Sequence, residues 1–133
     1  MNSDGTNERV YTPDKWVILR HAGGEHTILG GWGGGYLHGA SWRSSTAMLK
    51  AEELTDRVYG GKRIKYWRVH NASGSVYELA EGGYGTTSMT YFVLDELADV
   101  GVYALTEAEM YEYMDSLTYK TSESQLQYEL PLS

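Results

Sequence analysis

The sequence predicts an α+β fold: a small antiparallel sheet built of hairpins, with two C-terminal helices packed on one side. Three observations predict it. Strand-like segments come first along the 133 residues and helix-like segments last, the order of an antiparallel sheet with helices laid against it. Glycine is abundant at 16 residues while proline occurs only 2 times, which favours tight hairpins over disorder. Near the C-terminus, cap residues precede apolar residues at helical spacing.

Each element has its own local reason. Residues 1–10 are polar and read as a disordered lead-in. Thr12-Pro13-Asp14 is a turn signal that opens the domain. Trp16 to His21 is an apolar run with β-branched Val17 and Ile18, and reads as a strand. Ala22-Gly23-Gly24-Glu25 has hairpin-loop length, and His26 to Leu29 reads as the return strand. Gly30 to Gly39 holds six glycines in ten residues and is expected as a loop, since each glycine costs a helix about 1 kcal/mol. Residues 46–51 are expected as strand and the residues after them as loop, although 46–58 also shows helical spacing. Arg63 to His70 and Ser75 to Leu79 form a second hairpin around Asn71-Ala72-Ser73-Gly74. Both hairpins, 16–29 and 63–79, are expected in one sheet.

The helices follow. Met89, Val93, Leu97 and Val100 recur on one face over 88–100, with Thr87 or Ser88 to cap the start and Gly101 to end it. Thr106-Glu107-Ala108-Glu109 is a capping box, and Leu105 with Met110 is its hydrophobic staple. Met110, Met114 and Leu117 continue as the buried stripe of a helix over 106–117. Residues 11–117 therefore make a single domain. Residues 118–133 are expected as a loose acidic tail, in which alternating Leu126, Tyr128 and Leu130 can dock as a short strand.

Composition narrows the function. With no cysteine, a disulfide framework, a thiolate metal site and a cysteine nucleophile are excluded. No run approaches the ~18 apolar residues of a membrane-spanning helix, so no membrane partner is expected. Met1 to Glu8 lacks an apolar signal core, so the expected location is the cytoplasm. The formal net charge is -7, and it is uneven. Residues 95–133 carry nine acids and one base, while residues 1–94 carry nine acids and ten bases. An acidic third argues against duplex nucleic acid, which needs a basic face.

Catalytic patterns are weak. Val17 to Gly23 resembles the strand-Arg-His-Gly opening of histidine phosphatases, but that family continues into a helix where Gly23-Gly24 leads to a strand. His21, Glu25, His26 and His38 form a histidine-rich rim without convergent ligand spacing. Gly82 to Ser88 runs into a helix start yet lacks the lysine of a phosphate-binding loop. No catalytic residue, metal ligand or cofactor is assigned from the sequence.

Binding patterns are stronger. The aromatic set is lopsided: 12 Tyr, 4 Trp and 1 Phe. Tyr and Trp join an apolar body to a polar handle, which suits half-exposed binding surfaces. Trp32, Tyr36, His38, Trp42 and Arg43 are strung through the glycine-rich stretch. The indoles and the phenol can stack a base, and Arg43 and His38 can contact phosphate or carboxylate. Lys65 and Arg68 add positive charge, although a straight strand points them to opposite faces. Together these are the candidate ligand-binding residues for a small anionic or nucleotide ligand.

Tyr11 to Trp16, Gly31 to Arg43, Ser73 to Tyr77 and Tyr84-Gly85 resemble, in that order, a group of small uncharacterised tailed-phage proteins. The resemblance covers residues 11–94. It implies a phage-encoded accessory protein working in the host cytoplasm. Members of that group carry no assigned activity, so the resemblance supplies a context and not a mechanism. The role expected from that context and the binding residues is countering host defence by sequestering a nucleotide-type ligand or by blocking a host protein. Two other readings stand beside it: a small hydrolase with a histidine-rich site, and a minor virion or assembly protein. A homo-oligomer suits all three, because shared interfaces enlarge a small core.

Overall fold

The computed structural model describes residues 9–34 and 40–129, with side chains through residue 121. The fold is α+β, as expected, and both C-terminal helices pack on sheets. The elements are β1 (Val10–Tyr11), β2 (Lys15–Arg20), β3 (His26–Trp32), β4 (Ser41–Ser44), β5 (Met48–Tyr59), β6 (Lys62–Asn71), β7 (Val76–Ala80), α1 (Ser88–Ala98), β8 (Tyr103–Ala104) and α2 (Glu107–Glu129).

The arrangement inside that class differs from expectation in two respects. The hairpins do not share a sheet. One four-stranded sheet runs β1-β7-β6-β5 and a second runs β4-β3-β2-β8. All pairings in both sheets are antiparallel except β1 with β7, which is parallel. The helices also do not share a side. Alternation along β2 sends Trp16 and Ile18 to one face and Val17 and Leu19 to the other. The first face meets the β7-β6-β5 sheet and α2 in the main core, built on Trp67, Val69, Tyr77, Leu79, Met110 and Met114. The second face meets Val93, Leu94 and Leu97 of α1. The β2-β3 hairpin is apolar on both faces, so it needs a cover on each: α1 covers one, and the β7-β6-β5 sheet with α2 covers the other.

Two side chains tie the layers together. The Trp16 indole N–H donates to the Ala80 carbonyl at 2.8 Å, joining the two sheets. The Tyr84 hydroxyl donates to the Leu105 carbonyl at 2.7 Å and accepts from the Ile18 N–H at 3.2 Å. Burial pushes its pKa up to about 12, so Tyr84 stays protonated and keeps its donor.

Several boundaries move, each for a tertiary reason. Gly30 and Gly31 are strand, not loop. A Cβ on Gly30 would sit 3.0 Å from Cβ of Pro13, and one on Gly31 would sit 2.8 Å from Cγ2 of Thr90. Glycine is there because a turn and a helix press on the strand from either side. The expected loop after residue 51 is strand as far as Tyr59, with register shifts at Met48/Lys50 and Leu54/Arg57. Gly60 (φ 58°) and Gly61 (φ 80°) close this long β5-β6 hairpin. The expected loose tail is helical through Glu129. There the Thr121 hydroxyl donates to the Leu117 carbonyl at 2.8 Å and accepts from the Ala51 N–H at 3.2 Å, pinning the helix to β5. Leu126 and Tyr128 therefore lie on a helix and not on a docking strand, while Leu130 lies outside the described residues. Val10, placed in the lead-in, pairs with Val76; residues 1–8 lie outside the described residues.

Both helix starts follow their local signals. The Thr87 side chain accepts from the Thr90 N–H at 3.2 Å and Thr90 returns the bond, a capping box of two threonines. Thr106 and Glu109 form the second box, with bonds of 2.8 and 3.1 Å. The backbone bond from Thr106 holds the Glu109 carboxyl below its usual pKa. Helix α1 stops at Ala98, before the expected residue 100. Its buried face is Thr90, Val93, Leu94 and Leu97, and Val100 is exposed.

Candidate binding groove between strand β4 and helix α1

The predicted ligand set is dispersed. Trp32 ends β3 half-buried, its indole N–H donating to the Thr12 carbonyl at 3.1 Å and its ring edge-on to Tyr11. Arg43 opposes Gly30, and its guanidinium lies 4.5 Å above the Tyr11 ring. Trp42 opposes Gly31, on the other face of the same strand. Trp42 and Arg43 thus point to opposite sides of the sheet and cannot grip one ligand. Lys65 is held between Glu81 at 3.5 Å and Glu53 at 3.7 Å. Arg68 lies on the opposite face of β6 and bonds Glu78 at 3.2 Å, where Arg57 also bonds Glu78 at 2.7 Å. Tyr36 and His38 lie outside the described residues.

The histidine rim is divided as well. Nε2 of His21 lies 2.8 Å from the Thr27 hydroxyl, while His26 stacks on Tyr113 with ring centroids 4.0 Å apart. Burial, aided by Arg20, lowers the His26 pKa, so its ring is neutral near pH 7. Among the described residues, no three His, Asp or Glu side chains gather closely enough to hold a metal ion. No described helix is long and apolar enough to cross a membrane.

One predicted residue does line a concave surface. Trp42 is 46% exposed and forms one wall of a groove of about 460 Å³. Met89, Phe92 and Glu96 of α1 form the facing wall, and Val93 helps to floor it. Positions 89, 92 and 96 share one side of a helix, next to the stripe that packs on the sheet. The groove owes its shape to Gly31, which lets the α1 N-terminus sit directly against β3.

Its lining is mostly apolar, with the Glu96 carboxylate on the helix wall. Phe92, the only phenylalanine in the chain, is 67% exposed, and Tyr91 beside it is exposed too. The two rings meet edge-on at 5.7 Å. Asp95 and Glu96 stand on this helix and Asp99 caps its end, and residues 88–99 contain no basic residue. No basic side chain lies within ion-pair distance of these three acids among the described residues.

The sequence carried a signal for this wall. Tyr91-Phe92-Val93-Leu94 is four apolar residues in a row inside a helix, spaced about 100° apart around it. A helix covering one sheet face buries only part of such a run. Val93 and Leu94 go inward, and Tyr91 and Phe92 must face out.

Comparison of the chain with protein-family models, with curated proteins and with solved structures gives no match, so the groove is read from its own geometry.

Proposed function

We propose that this chain works by binding, and that the groove between β4 and α1 receives an apolar, positively charged segment of a protein partner. The observation that carries this reading is the exposed Trp42-Met89-Phe92 surface with Glu96 on its wall. Aromatic side chains presented around a pocket are the usual anchors of protein interfaces. The Glu96 carboxylate beside them, without an ion-pair partner among the described residues, favours a basic partner and repels a phosphate. A nucleotide finds less here than the sequence suggests, because the stacking face of Trp42 and the guanidinium of Arg43 lie on opposite sides of the sheet. In the phage context that the resemblance supplies, the partner we propose is a host protein that becomes blocked.

The test is titration with short synthetic peptides, read by indole fluorescence and by NMR shifts in α1 and β4. A peptide with one aromatic residue between lysines and arginines is expected to bind, and its acidic counterpart is not. Phe92→Glu is expected to abolish binding while leaving the thermal unfolding midpoint unchanged. Binding that ignores Phe92→Glu, or prefers a nucleotide or the acidic peptide, overturns the reading.

A further inference from the structure

The chain itself contains a segment of the chemistry that this groove receives. The β5-β6 hairpin ends in Val58-Tyr59-Gly60-Gly61-Lys62-Arg63, with Val58 62% and Tyr59 79% exposed. Cross-strand pairing places Tyr59 opposite Lys62 and Val58 opposite Arg63. Residues opposite each other in an antiparallel pair share a face, so each face of the tip offers one apolar and one basic side chain. Residues 57–63 hold three basic residues and no acidic one, against three acidic residues and no basic one in residues 88–99. Arg57 is bound by Glu78 and Arg63 donates to the Thr55 carbonyl at 3.0 Å, while Lys62 has no ion-pair partner among the described residues. The tip is therefore an apolar point with basic flanks, and the groove is an apolar slot with Glu96 on its wall, in a helix segment that carries acidic and no basic residues.

We infer that the β5-β6 hairpin tip of one copy docks into the β4-α1 groove of a second copy, with Tyr59 against Phe92 and Trp42 and Lys62 toward Glu96. This rests on the docking-groove reading and names one occupant for it. A groove-to-groove contact would set acid against acid, so the complementary contact is head to tail. Each copy keeps one free tip and one free groove, and such a contact either closes into a ring or grows as a chain. A hairpin tip covers less surface than the ~1,200–2,000 Å² of a stable interface, so the association is weak and concentration-dependent. Basic flanks meeting Glu96 on an acidic helix make it sensitive to salt.

Sedimentation velocity of the full chain over a range of concentrations, at low and at high salt, tests the inference. The weight-average sedimentation coefficient is expected to rise with concentration, and to rise less at high salt. Tyr59→Glu and Phe92→Glu are each expected to raise the dissociation constant by ~30-fold or more, the loss of an aromatic anchor. Glu96→Lys and Lys62→Glu should each weaken association by ~2- to 5-fold, and combining them should restore it. All four positions are solvent-facing, and the restored pair shows that a loss is not misfolding. A wild-type chain that stays monomeric throughout overturns the inference, as does association that survives both aromatic substitutions or a charge swap without restoration. The peptide titration separates the two failures. Peptide binding in a strictly monomeric chain leaves the groove reading standing, and its absence removes both.

Discussion

The two helices start alike and end in different roles. Each opens on a threonine capping box and each carries apolar residues at helical spacing. In α2 the stripe is used up: Met110 and Met114 are fully buried and Leu117 nearly so. In α1 only Thr90 is fully buried, Val93, Leu94 and Leu97 are half-covered, and Tyr91 and Phe92 face solvent. A helix whose apolar residues match the face it covers is a structural element. A helix with more apolar surface than its sheet accepts has surface left for a partner. The contrast makes α2 the helix that holds the molecule together and leaves α1 with an exposed apolar face.

Substitution in the two stripes should separate those roles most widely. Met114→Ala is expected to cost about 2–5 kcal/mol, the range for emptying a closed core site. Leu97→Ala should cost less, since its site is already open to water. Chemical denaturation measures both, and an equal or larger loss at Leu97 would break the contrast.

Gly31→Ala comes next. Its new methyl would meet both Thr87 and Thr90, whose side chains are held by their bonds in the capping box. The helix must lift from β3, at an expected cost of about 1–3 kcal/mol. Peptide binding to the groove should fall with it, which denaturation and titration of one variant can show together. Unchanged stability would mean that α1 is not seated where its packing implies.

Thr106→Ala removes one half of the α2 capping box and should cost about 1 kcal/mol. Hydrogen exchange should then quicken in the first turn of α2 and leave α1 unaffected.

The smallest effect is a pH slope at the α2 side of the β2-β3 hairpin. The folded-state pKa of His26 lies below its ordinary 6.5. Between those two pKa values the unfolded chain binds more protons, so stability rises with pH there. The contribution is complete above about pH 6.5, is lost as the pH falls through the folded-state pKa, and then levels off. His26→Gln should flatten that slope in denaturation curves taken between pH 7 and pH 5. A slope that persists assigns it to other groups.

Much of this molecule is determined by short-range chemistry that a sequence displays. Thr106 and Glu109 form their box because three residues of helix bring side chain and backbone together wherever the helix sits. The hairpins at 16–29 and 63–79 follow from strand runs separated by short turns, and the stripe at Met110, Met114 and Leu117 follows from the helical period. The α+β class is the sum of these local signals. Tertiary structure decided what depends on distant neighbours. Gly30 and Gly31 look like loop until Pro13 and Thr90 are seen against them. Residues 52–59 lack a clear strand period because β6 supplies their hydrogen bonds. The candidate site changed for the same reason. Trp42 and Arg43 are adjacent in the chain and can share a ligand from a flexible loop. Pairing with β3 makes them strand residues, and a strand turns neighbours to opposite faces. That step left Trp42 with Phe92, fifty residues away in sequence, because the second sheet needs cover on both faces and α1 supplies one of them.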